Sequence, residues 1–280
     1  MKEIYLDYAA TTPVDVRVKK AMEPYWSTEF GNPSSLHKRG VAAKKVLEES
    51  RRSVSQIFGG KASEIIFTGS GTEAINLGLI GVARANKVLG GHVVTTRMEH
   101  HAVLHSVDVL RREGFDVTIV GVSEDGIVDL KEIERAIRSD TILVSVMYAN
   151  NEIGTIQPIA EIGKIIRHYR QKQKNYSLST RDVTSESAIR YPLFFVDACQ
   201  AAGALDLNVE KLGVDLMAIN GSKIYGPKGI GCLYIRNGVK VEPIVFGGGQ
   251  EFGLRSGTEN MPAIAGFAKA LELADKMRNR

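Results

Sequence analysis

Cysteine is scarce: the 280 residues include two, Cys199 and Cys232, each inside an apolar, strand-like stretch. Two separated thiols make neither a disulfide framework nor a Cys-x-x-Cys metal site, and they point to a reducing, cytoplasmic compartment. Long hydrophobic runs are missing as well. No stretch reaches the ~18 apolar residues of a membrane-spanning helix, and the opening Met1-Lys2-Glu3-Ile4-Tyr5-Leu6-Asp7 does not read as a secretory signal. An excess of one charge is also lacking: 36 basic against 32 acidic residues leave +4, spread along the chain. That balance alone decides nothing about nucleic acid. The longest polar stretch, 167–190, lacks the regular aromatic interleaving of a base-stacking surface, so neither nucleic acid nor a membrane is an expected partner.

What is present is an ordinary globular balance, with 44% hydrophobic and 24% charged residues, at a length that suits one large domain with at most a small appendage. Residues 1–15 read as an N-terminal arm ending in the turn-forming Ala9-Ala10-Thr11-Thr12-Pro13. Gly31-Asn32-Pro33-Ser34-Ser35 is a loop, and Ser34 or Ser35 is placed to cap a helix over 36–58, whose Val41, Ala42, Val46, Leu47, Val54 and Ile57 form an apolar stripe. Beyond residue 64, short apolar strands (65–67, 92–96, 117–122, 142–148, 193–196, 214–219 and 230–235) are interleaved with helical patterns (73–85, 101–112, 130–137, 159–169 and 264–278). This alternation predicts an α/β fold: a mostly parallel, mixed sheet sandwiched by helices. The large domain is expected over 16–262, with 171–190 as a polar surface insertion and 263–280 as the start of a linker helix. Ligands of such sheets bind beyond the carboxyl ends of the strands, where the polar motifs of this chain fall.

Thr68-Gly69-Ser70-Gly71-Thr72-Glu73 lies between a strand and a helix. Glycines there let backbone N–H groups approach an anion, and the helix N-terminus adds favourable dipole charge; the simpler reading is a capping turn. It matches neither the Walker pattern nor G-x-G-x-x-G. Asp197 ends a strongly apolar strand and reads either as a helix cap or as the counter-ion of a protonated ring nitrogen in a bound cofactor. Asn220-Gly221-Ser222-Lys223-Ile224-Tyr225-Gly226 sits between two apolar strands. Lys223 is either a solvent-facing loop lysine or a poorly hydrated amine able to attack a carbonyl. His100 follows a strand and is placed to stack on a ligand or move a proton, whereas His101 and His105 stand i, i+4 with no third ligand of obvious type, so no metal is expected. Asn150-Asn151-Glu152 and Arg255-Ser256-Gly257-Thr258 offer further donors and are individually weak signals.

In order, Tyr5-Leu6-Asp7-Tyr8-Ala9-Ala10-Thr11-Thr12-Pro13, Gly31-Asn32-Pro33-Ser34-Ser35, the Thr68-to-Glu73 cradle, Glu99-His100, Asn150-Asn151-Glu152, Asp197-Ala198-Cys199-Gln200, Ser222-Lys223 and Arg255-Ser256-Gly257-Thr258 resemble the cysteine desulfurases of the NifS/IscS type. Those are class V aminotransferases of pyridoxal 5′-phosphate fold type I. The resemblance implies that Lys223 holds the cofactor covalently and that Asp197 pairs with its ring nitrogen. Gln200 would hydrogen-bond the ring's phenolic oxygen, His100 would stack on the ring and shuttle protons, and Asn151 would contact ring substituents. Gly71, Thr72, Asn220 and Ser222 would hold the phosphate, with Thr258 reaching it from a second copy in a homodimer. Many relatives carry Ser and His where this chain has Asn220 and Ser222; both replacements keep hydrogen-bonding groups. The implied reaction converts L-cysteine to L-alanine and passes sulfur as a persulfide to an acceptor protein or iron–sulfur scaffold. In the family the attacking cysteine and a carboxylate-binding arginine lie in a C-terminal small domain that is expected to be absent from this sequence, and neither Cys199 nor Cys232 matches that cysteine's motif. The chain is then a truncated or split enzyme or a cofactor-binding remnant; a related lyase, such as one acting on selenocysteine, and a non-catalytic scaffold are the alternatives.

Overall fold

A computed structural model describes residues 4–180 and 191–278. Seven strands form one sheet: β1 (Ile65–Thr68), β2 (His92–Thr96), β3 (Asp116–Val120), β4 (Thr141–Met147), β5 (Leu193–Asp197), β6 (Leu216–Asn220) and β7 (Gly231–Ile235), in the order β1-β7-β6-β5-β4-β2-β3. Neighbours from β3 through β6 run parallel, while β7 is antiparallel to both β1 and β6. Two antiparallel steps restore direction, so β1 points the same way as β6. The carboxyl ends of β1, β2, β4, β5 and β6 therefore share one edge of the sheet. The mixed α/β sheet expected from the sequence is the one observed.

Continuous apolar runs form these strands because both faces are covered. On β5, Phe194 and Val196 enter one core with Phe58, Ile162, Ile264 and Phe267, whereas Leu193 and Phe195 enter the other with Ile75, Val103, Val107 and Leu110. The first core lies under the helices Lys38–Phe58, Ile159–Thr180 and Met261–Arg278; the second lies under Gly71–Asn76 and His101–Arg112. The Met261–Arg278 helix packs on Lys38–Phe58 and on a short helix, Val16–Met22, burying Ile264, Phe267 and Leu271.

Two local expectations fail for identifiable reasons. The first long helix starts at Lys38, and its cap is His37, whose Nδ1 accepts from the Gly40 N–H at 3.3 Å. Ser34 lies three positions before that cap, in a turn where its N–H donates to the Asn32 side chain at 2.9 Å. The helix expected over 159–169 continues to Thr180, so the polar stretch 171–190 starts as helix; positions 181–190 lie outside the described residues. The arm crosses the sheet edge near β6: Thr12 N–H and hydroxyl both donate to Ser222 O, and Tyr225 N–H donates back to Thr12 Oγ1 at 2.8 Å. Among the described residues, no helix is long and apolar enough to cross a membrane.

Candidate functional site

A cavity of about 410 Å3 opens along the carboxyl edge of the sheet. Each strand that ends there delivers at least one polar group. After β1, the Thr68 hydroxyl donates to Ser70 O at 2.9 Å, and Ser70 Oγ accepts from Glu73 N–H at 3.1 Å. Both hydroxyls are thus consumed in building the turn, and the capping reading and the cradle reading hold together: Gly71 and Thr72 are what face the cavity. Gly71 leaves little room for a side chain, because a Cβ there would stand 2.8 Å from Cys199 Sγ and 3.1 Å from Asn220 Nδ2, so one of them would have to shift. Gly231, at the start of β7, is equally constrained by the Ser70 carbonyl, 2.5 Å from where its Cβ would be. The close approach of β7 to this turn is what seats the cradle against the sheet.

At the end of β5, Asp197 is 2% exposed, with Oδ1 accepting from Cys199 N–H at 3.0 Å. Burial pushes its carboxyl above the usual carboxylate range; hydrogen bonds from Cys199 and the charges of His100 and Lys223 pull the other way. Asn220 closes β6, and its Oδ1 is buried without a partner. Three residues on, the half-buried Lys223 Nζ donates to Ala9 O at 2.5 Å and Ala10 O at 2.6 Å. The amine is held by two arm carbonyls rather than sealed among apolar groups. Gln200 reaches the same arm, its Nε2 donating to Ala9 O at 2.9 Å. After β2, exposed His100 caps the helix His101–Arg112 by accepting at Nδ1 from Ala102 N–H at 3.0 Å. After β4, Asn151 Nδ2 donates to Glu152 Oε1 at 2.5 Å.

The cavity therefore gathers Gly71, Thr72, His100, Asn151, Asp197, Gln200, Asn220 and Lys223. Two expected residues stand apart. Ser222 is not in the cavity wall and meets the arm through its carbonyl, while Thr258 lines a separate cavity of about 240 Å3 with Thr68, Gly69 and Arg255. His101 and His105 have rings 5.4 Å apart, and among the described residues no group of three or more His, Cys, Asp or Glu is placed to hold a metal ion. Sequence reasoning missed Asp7, Ala9 and Ala10 in the wall, and Glu99 beneath it. The arm residues carry no local signal, since their contacts span 191 and 214 positions. Glu99 carried one: a carboxyl just past a fully buried strand.

Both thiols are poor nucleophiles in this setting. Burial, and then the neighbouring Asp197 charge, raise Cys199 well above an ordinary thiol, and burial raises Cys232 as well.

Comparison with known proteins gives this arrangement a family. The model for "Aminotransferase class-V" matches residues 4–172 and 186–279. A cysteine desulfurase IscS of Dictyoglomus turgidum is 45% identical over 273 residues, covering 98% of this chain and 64% of that protein. Cysteine desulfurase IscS 1 of Archaeoglobus fulgidus is 47% identical, covering 97% and 65% respectively. The chain thus spans about two thirds of the length of these relatives. Among solved structures, a NifS-like protein superposes with a TM-score of 0.89 at 40% identity, covering 99% of this chain and 71% of its own. A structure described as SspA in complex with cysteine gives 0.84 at 35% identity, covering 96% and 72%. With its fold, its strand-end cavity and these matches, the chain belongs to the class V aminotransferase family, among relatives named cysteine desulfurase.

Proposed function

We propose that this chain works as a pyridoxal 5′-phosphate-dependent cysteine desulfurase, in which L-cysteine and a thiol give L-alanine and a persulfide destined for a sulfur-acceptor protein or iron–sulfur scaffold. The observation that carries this reading is the convergence of Asp197, Lys223 and the Gly71–Thr72 turn, from three different strand ends, on one cavity. That cavity suits the cofactor chemically. A buried carboxylate in no ion pair among the described residues fits a protonated ring nitrogen, and a glycine-bearing turn facing the cavity fits an approaching phosphate. The Asn220 amide has unspent hydrogen-bonding capacity beside that turn. When bound, the cofactor supplies an electron sink for negative charge on the substrate's α-carbon.

The chain's own residues would then divide the work. Asp197 keeps a proton on the ring nitrogen, helped by its position at the end of β5, where β4 and β6 fix it on both sides. Lys223 holds the cofactor through its amine and moves a proton at the α-carbon. Its hydrogen bonds to Ala9 O and Ala10 O aim it into the cavity before the cofactor arrives. His100, anchored through Nδ1 by the helix it caps, faces the ring and shuttles protons. Gln200 and Asn151 contact ring substituents, and Gly71, Thr72 and Asn220 hold the phosphate; Ser222, outside the cavity wall, ties the arm to the turn after β6 through its carbonyl. Thr258 is assigned to the phosphate of a second copy in a homodimer; its place in a separate cavity of its own chain accords with that assignment. A cytoplasmic setting accords with the two unpaired thiols. The raised Cys199 and Cys232 thiols make neither of them the sulfur acceptor.

The test is an absorption spectrum of the purified protein with pyridoxal 5′-phosphate, before and after L-cysteine, with sulfide assayed in parallel under reducing conditions. A visible band that changes with L-cysteine supports the reading, and sulfide release distinguishes an enzyme from a scaffold. Lys223→Ala is expected to lose the band, and a band unchanged in that variant would reject the assignment of Lys223.

A further inference from the structure

Glu99 sits beneath the cavity and not in its wall. The residue is 7% exposed; Oε1 accepts from Thr96 Oγ1 at 2.7 Å and from Met147 N–H at 2.9 Å, and Oε2 is buried with no partner. These two bonds join the carboxyl end of β2 to the carboxyl end of β4. His100 follows Glu99 directly, and Met147 is paired in register with Asp197 on β5. One carboxyl thus ties together the two strand ends that present His100 and Asp197.

Its charge environment is unlike that of two other buried acids, Glu251 and Asp215. Glu251 has Arg51 and Asp215 has Arg170 and Arg236. Among the described residues Glu99 makes no ion pair. From β2 it meets Thr96 and from β4 the Met147 N–H, both neutral; from β5 it feels the Asp197 charge; His100 and, beyond β6, Lys223 act on Asp197. Two adjacent buried acids with no dedicated cation do not both ionise. Asp197 has a use for its charge and Glu99 does not.

We propose that Glu99 is a proton-carrying positioning residue, tying β2 to β4 so that His100 and Asp197 stand as one unit and leaving a single negative charge under the cavity. The tie rests on geometry alone, while its value for the cofactor rests on the function proposed above. Burial, followed by the nearby Asp197, pushes the Glu99 carboxyl from 4.5 to about 8. The native protein therefore binds a proton that the unfolded chain releases at neutral pH. The stability linked to this proton is complete below the unfolded value near 4.5 and is lost as pH rises through about 8.

The experiment uses wild type, Glu99→Gln and Glu99→Leu. Thermal midpoints without cofactor are measured from pH 5.5 to 9.5, and then pyridoxal 5′-phosphate is titrated at pH 7. Gln keeps an acceptor for Thr96 and Met147 and cannot ionise, so its midpoint should fall less than that of wild type towards alkaline pH. Its cofactor affinity should stay within about threefold of wild type, whereas Leu, which leaves the Met147 N–H unpaired, should lose about tenfold or more, or fail to fold. A Gln midpoint that tracks wild type across the whole range overturns the proton. A tenfold loss of affinity in Gln shows that an ionised carboxylate is needed and overturns the proposal. Should wild type bind no cofactor, the proposed function fails while the thermal series still judges Glu99.

Discussion

Glu251 and Glu99 are buried to almost the same degree, 5% and 7% exposed, yet the chain treats them in opposite ways. Glu251 meets a cation in a two-pronged pair, with Arg51 Nη1 at 2.7 Å and Nη2 at 2.8 Å, and also accepts from the Phe67 N–H at 2.8 Å. The Arg51 guanidinium lies between the Phe67 and Phe252 rings, 5.1 and 5.0 Å from their centroids. Around it the backbone accepts strain: Glu251 and Phe252 have φ of 46° and 60°, in the left-handed region that bulky side chains avoid. Such a conformation persists where its surroundings over-determine it, and here an ion pair, a backbone bond and two rings do so. At the β1 edge, charge is neutralised to pin a loop. At the cavity, charge is left unneutralised in Asp197 and proton-covered in Glu99. The first arrangement serves stability, and the second reserves one charge for a ligand.

The most forceful way to break this comparison is to remove one half of the neutralised pair. Glu251→Ala leaves the buried Arg51 with only the partly exposed Glu48, 3.6 Å from its Nε, and is expected to cost up to about 3–5 kcal/mol in urea unfolding at neutral pH. Arg51→Met with Glu251→Leu should recover much of that loss, because no charge is then buried. A single variant as stable as wild type would show that the latch over β1 is dispensable and that the contrast with Glu99 has no energetic content.

Gly71→Ala sharpens the comparison from the cavity side. A Cβ at 2.8 Å from Cys199 Sγ forces Cys199 or the first turn to move, a displacement that typically costs about 1–3 kcal/mol. In a helix's first turn, alanine is otherwise a better residue than glycine by up to about 1 kcal/mol, so much of this cost should be offset in overall stability. What remains is displacement of the cradle. Pyridoxal 5′-phosphate affinity, read by absorption titration, should fall by about tenfold while the unfolding midpoint changes little. A midpoint that falls as far as in Glu251→Ala, with affinity intact, would move Gly71 from the cofactor site to the scaffold.

How much of this was legible beforehand follows the range of the interactions. All seven strands could be read, because each is a largely apolar run, unbroken at its clearest in Phe194-Phe195-Val196, closed by polar or turn residues. Asp197, Lys223 and Gly71 were legible as site candidates because each sits where such a run stops. The cap at His37 was misplaced because Asn32 to Ser34 form a turn of their own and the helix begins only at Lys38, a boundary that composition alone does not set. The helix running on to Thr180 was cut short because its polar half shows no apolar stripe, while backbone hydrogen bonding carries it on. The grip of Ala9 and Ala10 on Lys223 was invisible: it depends on an arm returning from the other end of the sequence. Glu251 is the same case, since nothing near Gly249-Gln250-Glu251 announces Arg51 two hundred residues earlier.

The smallest effect is expected where neither device operates. Arg138 bridges Asp116 at 2.6 Å and Asp140 at 2.7 Å, all three side chains being close to half exposed. Hydrogen bonding to Arg138 holds both carboxyls below the usual carboxylate range, so any stability they add is present above that range and is lost as acid titrates them. Solvent and salt screen such pairs, and holding long side chains in place offsets part of the attraction. Asp116→Asn should therefore leave the unfolding midpoint unchanged at physiological ionic strength and lower it only slightly in dilute buffer. If the variant instead matched Glu251→Ala in salt as well as in its absence, burial would not be what separates a charge that matters from one that does not, and the reasoning applied to Glu99 would lose its footing with it.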